Sequence, residues 1–270
     1  MRDHPRSHPQ PGTTHLSHRS ERTDGLSGTL FVVATPIGNL EDITLRALRA
    51  LREADLIACE DTRRTRALLT HFDIHKPTVS YYEQNKLARG RELLRELAVG
   101  RSIALVTDAG TPGISDPGVL LVREARAHGV PVVPIPGPAA VVAALSAAGI
   151  PADRFVFDGF LPVKPGKRIN RLKTLKALDT TVVLYESPHR IAATLGALGE
   201  VYGEIELVVA RELTKQFEEI VTATPAAHLA RLTAPRGEFT LVIPAATAGR
   251  AAARPGAGPP AGEASLEPRI

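Results

Sequence analysis

Tryptophan is absent from this chain, and aromatic residues fill only 4% of its 270 positions. A chain so poor in π-faces lacks the stacking platforms that hold single-stranded nucleic acid, which excludes base stacking as its main recognition device. The single cysteine, Cys59, excludes an intrachain disulfide and any multi-thiolate metal centre, and it suits a reducing compartment. No segment approaches the roughly 20 consecutive apolar residues that a membrane-spanning helix needs. The opening stretch, MRDHPRSHPQPGTTHLSHRSERTDGLSG, has no apolar run of the signal-peptide kind. A cytoplasmic protein with no membrane partner is therefore the expectation. Chemical signatures are missing too. No G-x-G-x-x-G follows a strand, no Walker A loop occurs, and no His/Cys spacing suits a metal, so neither a Rossmann dinucleotide site nor the common Rossmann methyltransferase loop has support. The net charge of +4 is compatible with a polyanionic partner but too mild to imply one.

The 43% of hydrophobic residues suffices for one large or two small cores. Continuous apolar runs at 30–34 (LFVVA), 56–60 (LIACE) and 103–107 (IALVT) read as strands buried on both faces. A further strand is expected at 130–133. Between the first two runs, Ile43, Leu45, Leu48 and Leu51 recur at helical spacing over 42–54, and helices are also expected at 87–98 and 138–148. A second series has strands at 155–157, 182–185, 207–210 and 239–243 and helices at 168–178, 189–198 and 225–232. This alternation predicts an α/β protein. Its restart near residue 140 divides the chain into two α/β domains, 28–138 and 139–245. Residues 1–27 hold four of the nine histidines but almost no large apolar side chain, so they are expected to be disordered. The irregular histidine spacing supports no metal site. The Ala/Pro/Gly-rich tail, 246–270, reads as disordered as well.

Three loops after expected strands are rich in glycine and proline: 35–40 (TPIGNL), 108–118 (DAGTPGISDPG) and 134–138 (PIPGP). In open α/β sheets, ligands bind beyond the C-terminal strand ends, where such loops converge. Glycine allows close approach to the backbone and proline stiffens it, so the three loops together predict a small-molecule cleft without identifying the ligand.

These residues resemble a known family. TPIGNLEDITLRAL, CEDTRRT, TDAGTPGISDPG, PIPGP, LYESPHR and ARELTK occur here in the order and spacing of the bacterial ribosomal RNA small subunit methyltransferase I family, within the tetrapyrrole methylase superfamily. The resemblance covers roughly 28–245. It implies two α/β domains of the tetrapyrrole-methylase fold, with S-adenosylmethionine in the inter-domain cleft and a homodimer. The implied activity is 2′-O-methylation of a decoding-region cytidine in the 16S rRNA of the small ribosomal subunit. The donor-binding positions it implies are Pro36, Gly38, Asp108, Gly110, Thr111, Ile114, Ala139, Ala140, Tyr185 and Ala210. One departure is visible: where the family usually has H-[DE]-H-N, this chain has Tyr82-Glu83-Gln84-Asn85, a change read as tolerated.

Methyl transfer to a ribose hydroxyl gains from a base that removes the hydroxyl proton. Asp61, Glu186 and Lys215 are the candidates near the motif loops. Each has a plainer reading: Asp61 as a helix cap, Glu186 as a hydrogen-bonded carboxylate closing a strand, Lys215 as a phosphate contact. For RNA, the segment 164–176 (KPGKRINRLKTLK) carries six basic residues and no acid. Ile169, Leu172 and Leu175 repeat every three residues, so the segment can dock an apolar stripe and turn Lys164, Lys167, Arg168 and Arg171 outward. Arg63, Arg64 and Arg66 form a second basic cluster, and Arg190 with His189 a third.

Two other readings compete. A methylase of corrin or porphyrin precursors would share the fold, but such enzymes tend to open with a G-x-G-x-G-D-like loop rather than TPIGNL. A non-catalytic ribosome-assembly factor would have no use for an intact 108–118 loop.

Overall fold

The computed structural model describes residues 28–247. The N-terminal extension and nearly all of the C-terminal tail therefore lie outside the described residues. The apolar runs become parallel strands because side chains on both faces find cover. Strands β1 (Leu30–Val33), β2 (Leu56–Cys59), β3 (Thr78–Ser80), β4 (Ile103–Leu105) and β5 (Val132–Ile135) form one sheet in the order β3-β2-β4-β1-β5, every neighbouring pair parallel. Helices α1 (Leu45–Glu53) and α2 (Thr62–His71) cover one face, where Leu51 and Leu69 meet Val33, Ile57 and Ala104. Helices α3 (Lys86–Ala98) and α4 (Val119–Ala127) cover the other, where Leu93 and Leu121 meet Leu30, Ile103 and Leu105. Consecutive residues Ile103, Ala104 and Leu105 thus alternate between two cores, as the pleat requires.

Helix α5 (Ala140–Ala147) comes after this sheet in sequence and packs elsewhere. Its Val141, Ala144 and Leu145 lie on Val183, Val208 and Val242 of a second sheet, and Ile37 from the loop after β1 joins that cluster. The second sheet contains β6 (Phe155–Phe160), β7 (Thr181–Glu186), β8 (Leu207–Arg211), β9 (Glu219–Ala223) and β10 (Phe239–Ile243), in the order β6-β7-β10-β8-β9. β6 and β7 are parallel, whereas β10 runs antiparallel to both its neighbours and β9 antiparallel to β8. Helices α6 (Pro165–Ala177) and α7 (Ile191–Tyr202) cover the face opposite α5, through Leu172, Leu175, Leu195 and Leu198.

The structure adds elements that apolar spacing does not reveal. α2 is dense in arginine and exposes most of its surface, α4 follows the long glycine-rich loop, β3 is a short edge strand of half-buried residues, and β9 is an edge strand that alternates half-buried and exposed ones. The expected strand at 130–133 starts two residues later, at Val132. Order also reaches into the segment expected to be disordered from 246. The backbone N–H of Thr247 donates to Asp179 Oδ1 at 3.0 Å, and its hydroxyl bonds the same carboxylate.

Helix α8 (Pro225–Arg231) is fastened to the second sheet by a histidine. His228 is fully buried, with Nε2 3.1 Å from the Leu207 carbonyl and Nδ1 accepting from Arg231 Nε at 3.3 Å. Burial lowers its pKa below the ordinary histidine range and the Arg231 charge adds to this, while the Leu207 carbonyl partly opposes it. The unfolded chain therefore takes up this proton at a higher pH than the folded one. The stability His228 contributes is complete above about pH 6.5 and is lost as pH falls below that value. Urea midpoints measured from pH 8 to 5.5 should fall more steeply for the wild-type protein than for His228→Gln, which has no proton to gain.

Candidate active site

Because β4, β1 and β5 are adjacent and parallel, the three glycine- and proline-rich loops leave the same edge of the first sheet. They are also bonded to one another. Thr35 and Gly110 form an antiparallel backbone bridge with N···O distances of 2.9 and 3.0 Å. Thr35 Oγ1 donates to the Thr107 carbonyl at 3.2 Å, and Thr111 Oγ1 to the Pro138 carbonyl at 3.2 Å. Gly110 has φ +85, a conformation that side chains other than glycine adopt only with strain. The loops face the C-terminal ends of β6 and β7 and the first residues of β10, and the two halves enclose a cavity of about 480 Å³. That volume lies within the range of small-molecule sites, roughly 300–1,000 Å³.

The cavity wall is acidic. Glu60, Asp108, Asp116, Glu186 and Glu238 line it, and Arg64 is the one cationic side chain among the described lining residues. Asp108 is engaged: its Oδ1 accepts from the Asp61 backbone N–H at 3.0 Å, and Oδ2 lies 3.4 Å from Arg64. Glu186 has no exposed side-chain surface. Its Oε1 accepts from Ser187 N–H at 2.9 Å and its Oε2 from Thr194 Oγ1 at 2.7 Å. Arg190 Nε stands 3.4 Å from Oε1 without hydrogen-bond alignment. Burial, followed by repulsion from neighbouring carboxylates, raises Glu60 above the usual carboxylate range and pushes Asp116 up to about 6. Tyr185 packs edge-on against Phe157 and Phe160, with ring centroids 4.8 and 5.9 Å away. Burial raises its phenol, so it faces the cavity as a neutral group.

Among the positions expected to hold the donor, Asp108, Gly110, Thr111, Ile114, Ala139, Ala140 and Tyr185 line this cavity. Pro36, Gly38 and Ala210 do not. Gly38 sits against the Lys215 side chain, and Ala210 is buried within β8 in the core beneath α5. The lining residues that sequence reasoning passed over include Glu60 and Asp116, both inside motifs already recognised, and Glu238 to Thr240. The last three open β10, whose antiparallel direction brings its start to the edge where parallel strands end.

The candidate bases separate clearly. Asp61 caps α2, accepting from Arg63 N–H at 2.8 Å and pairing with the Arg63 guanidinium at 2.7 Å, which holds its carboxyl down at about 2. It does not line the cavity. Lys215 Nζ bonds Glu212 at 2.8 Å and Glu238 at 2.9 Å. Partial burial opposes its charge, but the two carboxylates outweigh that and raise its pKa, so it stays an ammonium with no free lone pair. Glu186 alone of the three lies at the cavity wall, but its carboxylate is fully enclosed and held by Ser187 and Thr194.

The basic residues also divide. Arg168 is only 5% exposed, and its guanidinium donates to the Pro162 and Val163 carbonyls at 3.3 and 3.1 Å. The expectation that it faces RNA is corrected, because Arg168 lies four and seven residues before Leu172 and Leu175, on the same buried side of α6. Arg190 is likewise drawn inward, to the Leu161 carbonyl and Glu186. Arg171 pairs with Asp158 and Arg63 with Asp61. Lys164 and Lys167, with Lys173 on the same helix, are exposed and form no ion pair among the described residues.

Comparison with known proteins agrees with this geometry. The family model described as Tetrapyrrole (Corrin/Porphyrin) Methylases matches residues 29–230. A protein of Mesorhizobium japonicum named Ribosomal RNA small subunit methyltransferase I is 51% identical over 222 residues, 81% of this chain and 76% of that one. A protein of the same name from Synechocystis is 50% identical over 223 residues, 82% of this chain and 80% of its own. Among solved structures, a diphthine synthase superposes with a TM-score of 0.65 at 18% identity, over 80% of this chain and 90% of that one. The Thermus thermophilus uroporphyrin-III C-methyltransferase complexed with S-adenyl homocysteine gives 0.59 at 20% identity, over 82% and 99%.

Replacing Glu186 with alanine would remove the acceptor for Ser187 N–H, Thr194 Oγ1 and the partly buried Arg190 at once. Breaking a buried pair by deleting one partner costs about 3 kcal/mol or more. Urea denaturation of Glu186→Ala should show a loss of that size. Glu186→Gln, which keeps an acceptor, should lose less.

Proposed function

This chain belongs to the tetrapyrrole methylase family and, within it, to the ribosomal RNA small subunit methyltransferase I family, and from that premise we propose that it transfers a methyl group from S-adenosylmethionine to the ribose 2′-oxygen of a cytidine in 16S rRNA. The observation that carries the donor half of this reading is the acidic cavity between the two sheets, where Glu60, Asp108, Asp116 and Glu238 stand against one guanidinium. A sulfonium ion gains from such a lining, whereas the pyrophosphate of a dinucleotide would be repelled by it. The cavity therefore fits the methyl donor. Asp108, Gly110, Thr111, Ala139 and Tyr185 are the residues that would hold it. When bound, S-adenosylmethionine supplies an electrophilic methyl group. The chain's own residues position the ribose oxygen, exclude water and accept its proton, and positioning alone removes much of the barrier.

For the RNA half, the exposed lysines of α6 and its N-cap, Lys164, Lys167 and Lys173, support backbone contact, because none is engaged by a carboxylate among the described residues. Arg64 lies at the cavity wall and joins the two regions. No helix among the described residues is long and apolar enough to cross a membrane. A cytoplasmic location, the small ribosomal subunit as partner, and a homodimer complete the reading.

Titration calorimetry with S-adenosylmethionine should show saturable binding, with NADH giving none. Incubation with small ribosomal subunits and labelled donor should then place the label as 2′-O-methylcytidine. Label on a base, or on no RNA at all, would overturn the reading. Reversal of Lys164, Lys167 and Lys173 to glutamate should weaken RNA binding and flatten its salt dependence by up to about one unit of slope per lost phosphate contact, with donor affinity unchanged. Arg168→Glu should instead lower the unfolding midpoint.

A further inference from the structure

The five acidic residues at the cavity differ in what already engages their carboxylates. Glu186 is taken by Ser187, Thr194 and Arg190, and Asp108 by Asp61 N–H and Arg64. Glu238 is paired with Lys215, and the Asp108 backbone N–H favours the charged form of Glu60. Neither Glu60 nor Asp116 makes a hydrogen bond of normal geometry among the described residues, and of the two only Asp116 follows a residue with positive φ. The nearby Thr107 hydroxyl, which would favour the charged form of Asp116, is itself buried without a partner of good alignment.

The backbone that presents Asp116 is unusual. Ser115 has φ +63, a left-handed conformation that costs a non-glycine residue free energy and persists only where the surroundings impose it. The surroundings here are in the other half of the molecule. β6 carries an irregularity between Phe157 and Gly159, and Gly159, at φ +61, leaves room for Ser115 Oγ, which a Cβ there would meet at 2.9 Å. The second sheet thus clamps the loop of the first and directs the uncommitted carboxylate at the cavity.

We propose that Asp116 is the catalytic base of the methyl transfer, an assignment that rests on the 2′-O-methylation reading above. The ribose oxygen forms its new bond to the methyl carbon as the sulfur–carbon bond breaks and its electron pair stays on sulfur. The hydroxyl proton passes to the Asp116 carboxylate. The positive charge of the sulfonium and the negative charge of Asp116 disappear together, so the cavity's net charge does not change. Glu60 from the end of β2, Asp108 from the loop after β4 and Glu238 from the start of β10 face Asp116 as like charges. Arg64 is held at Asp108, and the Thr107 hydroxyl opposes the carboxylates' effect. Burial first, and then these like charges, set the carboxyl near 6, ionised at neutral pH yet still basic.

The test is single-turnover methylation of small ribosomal subunits at saturating S-adenosylmethionine, measured across pH for the wild-type protein and variants. Asp116→Asn should bind the donor within a few-fold of wild type and lose about 10²–10⁴ in rate. Asp116→Glu, which keeps a displaced base, should recover part of that rate and shows that the loop folds. The wild-type rate should fall below about pH 6, and Glu60→Gln, by removing a like charge, should move that limb to lower pH. An Asp116→Asn rate within tenfold of wild type would overturn the assignment, as would loss of donor binding in that variant or an acid limb that persists in it, and the methyltransferase reading would still stand. Absence of methylation by the wild-type protein would overturn both.

Discussion

The backbone bridge between Thr35 and Gly110 is the constraint on which the rest of the site depends. It joins the loop after β1 to the loop after β4, and Thr111 then carries the connection to Pro138 after β5. Three loops that could each move independently become one wall, because their strands are neighbours in the sheet and their free N–H and C=O groups satisfy one another. The same wall sets the second half of the molecule. Ile37, two residues beyond the bridge, enters the core of α5 and the second sheet, and Ser115 enters the gap at Gly159. A left-handed glycine at position 110 is therefore a condition for the cavity as well as for one turn.

With the wall rigid, its charge becomes chemically useful. Carboxylates gathered around one cavity repel each other, and water cannot fully screen groups that are partly buried. The structure relieves most of this strain by giving Asp108, Glu186 and Glu238 hydrogen-bonding or cationic partners. Burial, and the repulsion that remains, fall on Glu60 and Asp116, whose ionised forms are disfavoured. A cationic ligand would relieve the remainder, which is the physical reason a sulfonium suits this cavity better than a phosphate. Tyr185, Phe160 and the alanines opening α5 supply an apolar side, as an adenosine-sized ligand requires.

Much of this was legible beforehand, and the exceptions have physical causes. LFVVA, LIACE and IALVT announce buried parallel strands because both faces must be apolar. α2 was missed as an element because its arginines hide the few apolar positions that dock it, although Asp61 was readable as its cap. Six motifs in register placed seven of ten donor positions on the cavity wall, but motif spacing does not say which side of a loop faces in. Gly38 turns to Lys215 and Ala210 into the core. Composition failed at α6 for a related reason. Six cations without an acid look like a phosphate-binding face, yet the helix must bury one side, and Arg168 lies on it.

The α/β class, the family, the three glycine- and proline-rich loops and the methyl donor were readable from the chain alone, because each is written in residues close together along it: apolar runs, glycine–proline turns, motifs in order. Only the tertiary structure decided which carboxylates share a cavity and which cations are used up. Glu60, Asp116, Glu186 and Glu238 come from four distant segments, and burial with neighbouring carboxylates raises Glu60 and Asp116. Arg168 and Arg190 owe their inward placement to carbonyls that only packing brings near. Electrostatic roles are properties of distance in space, which a linear chain does not record until it folds.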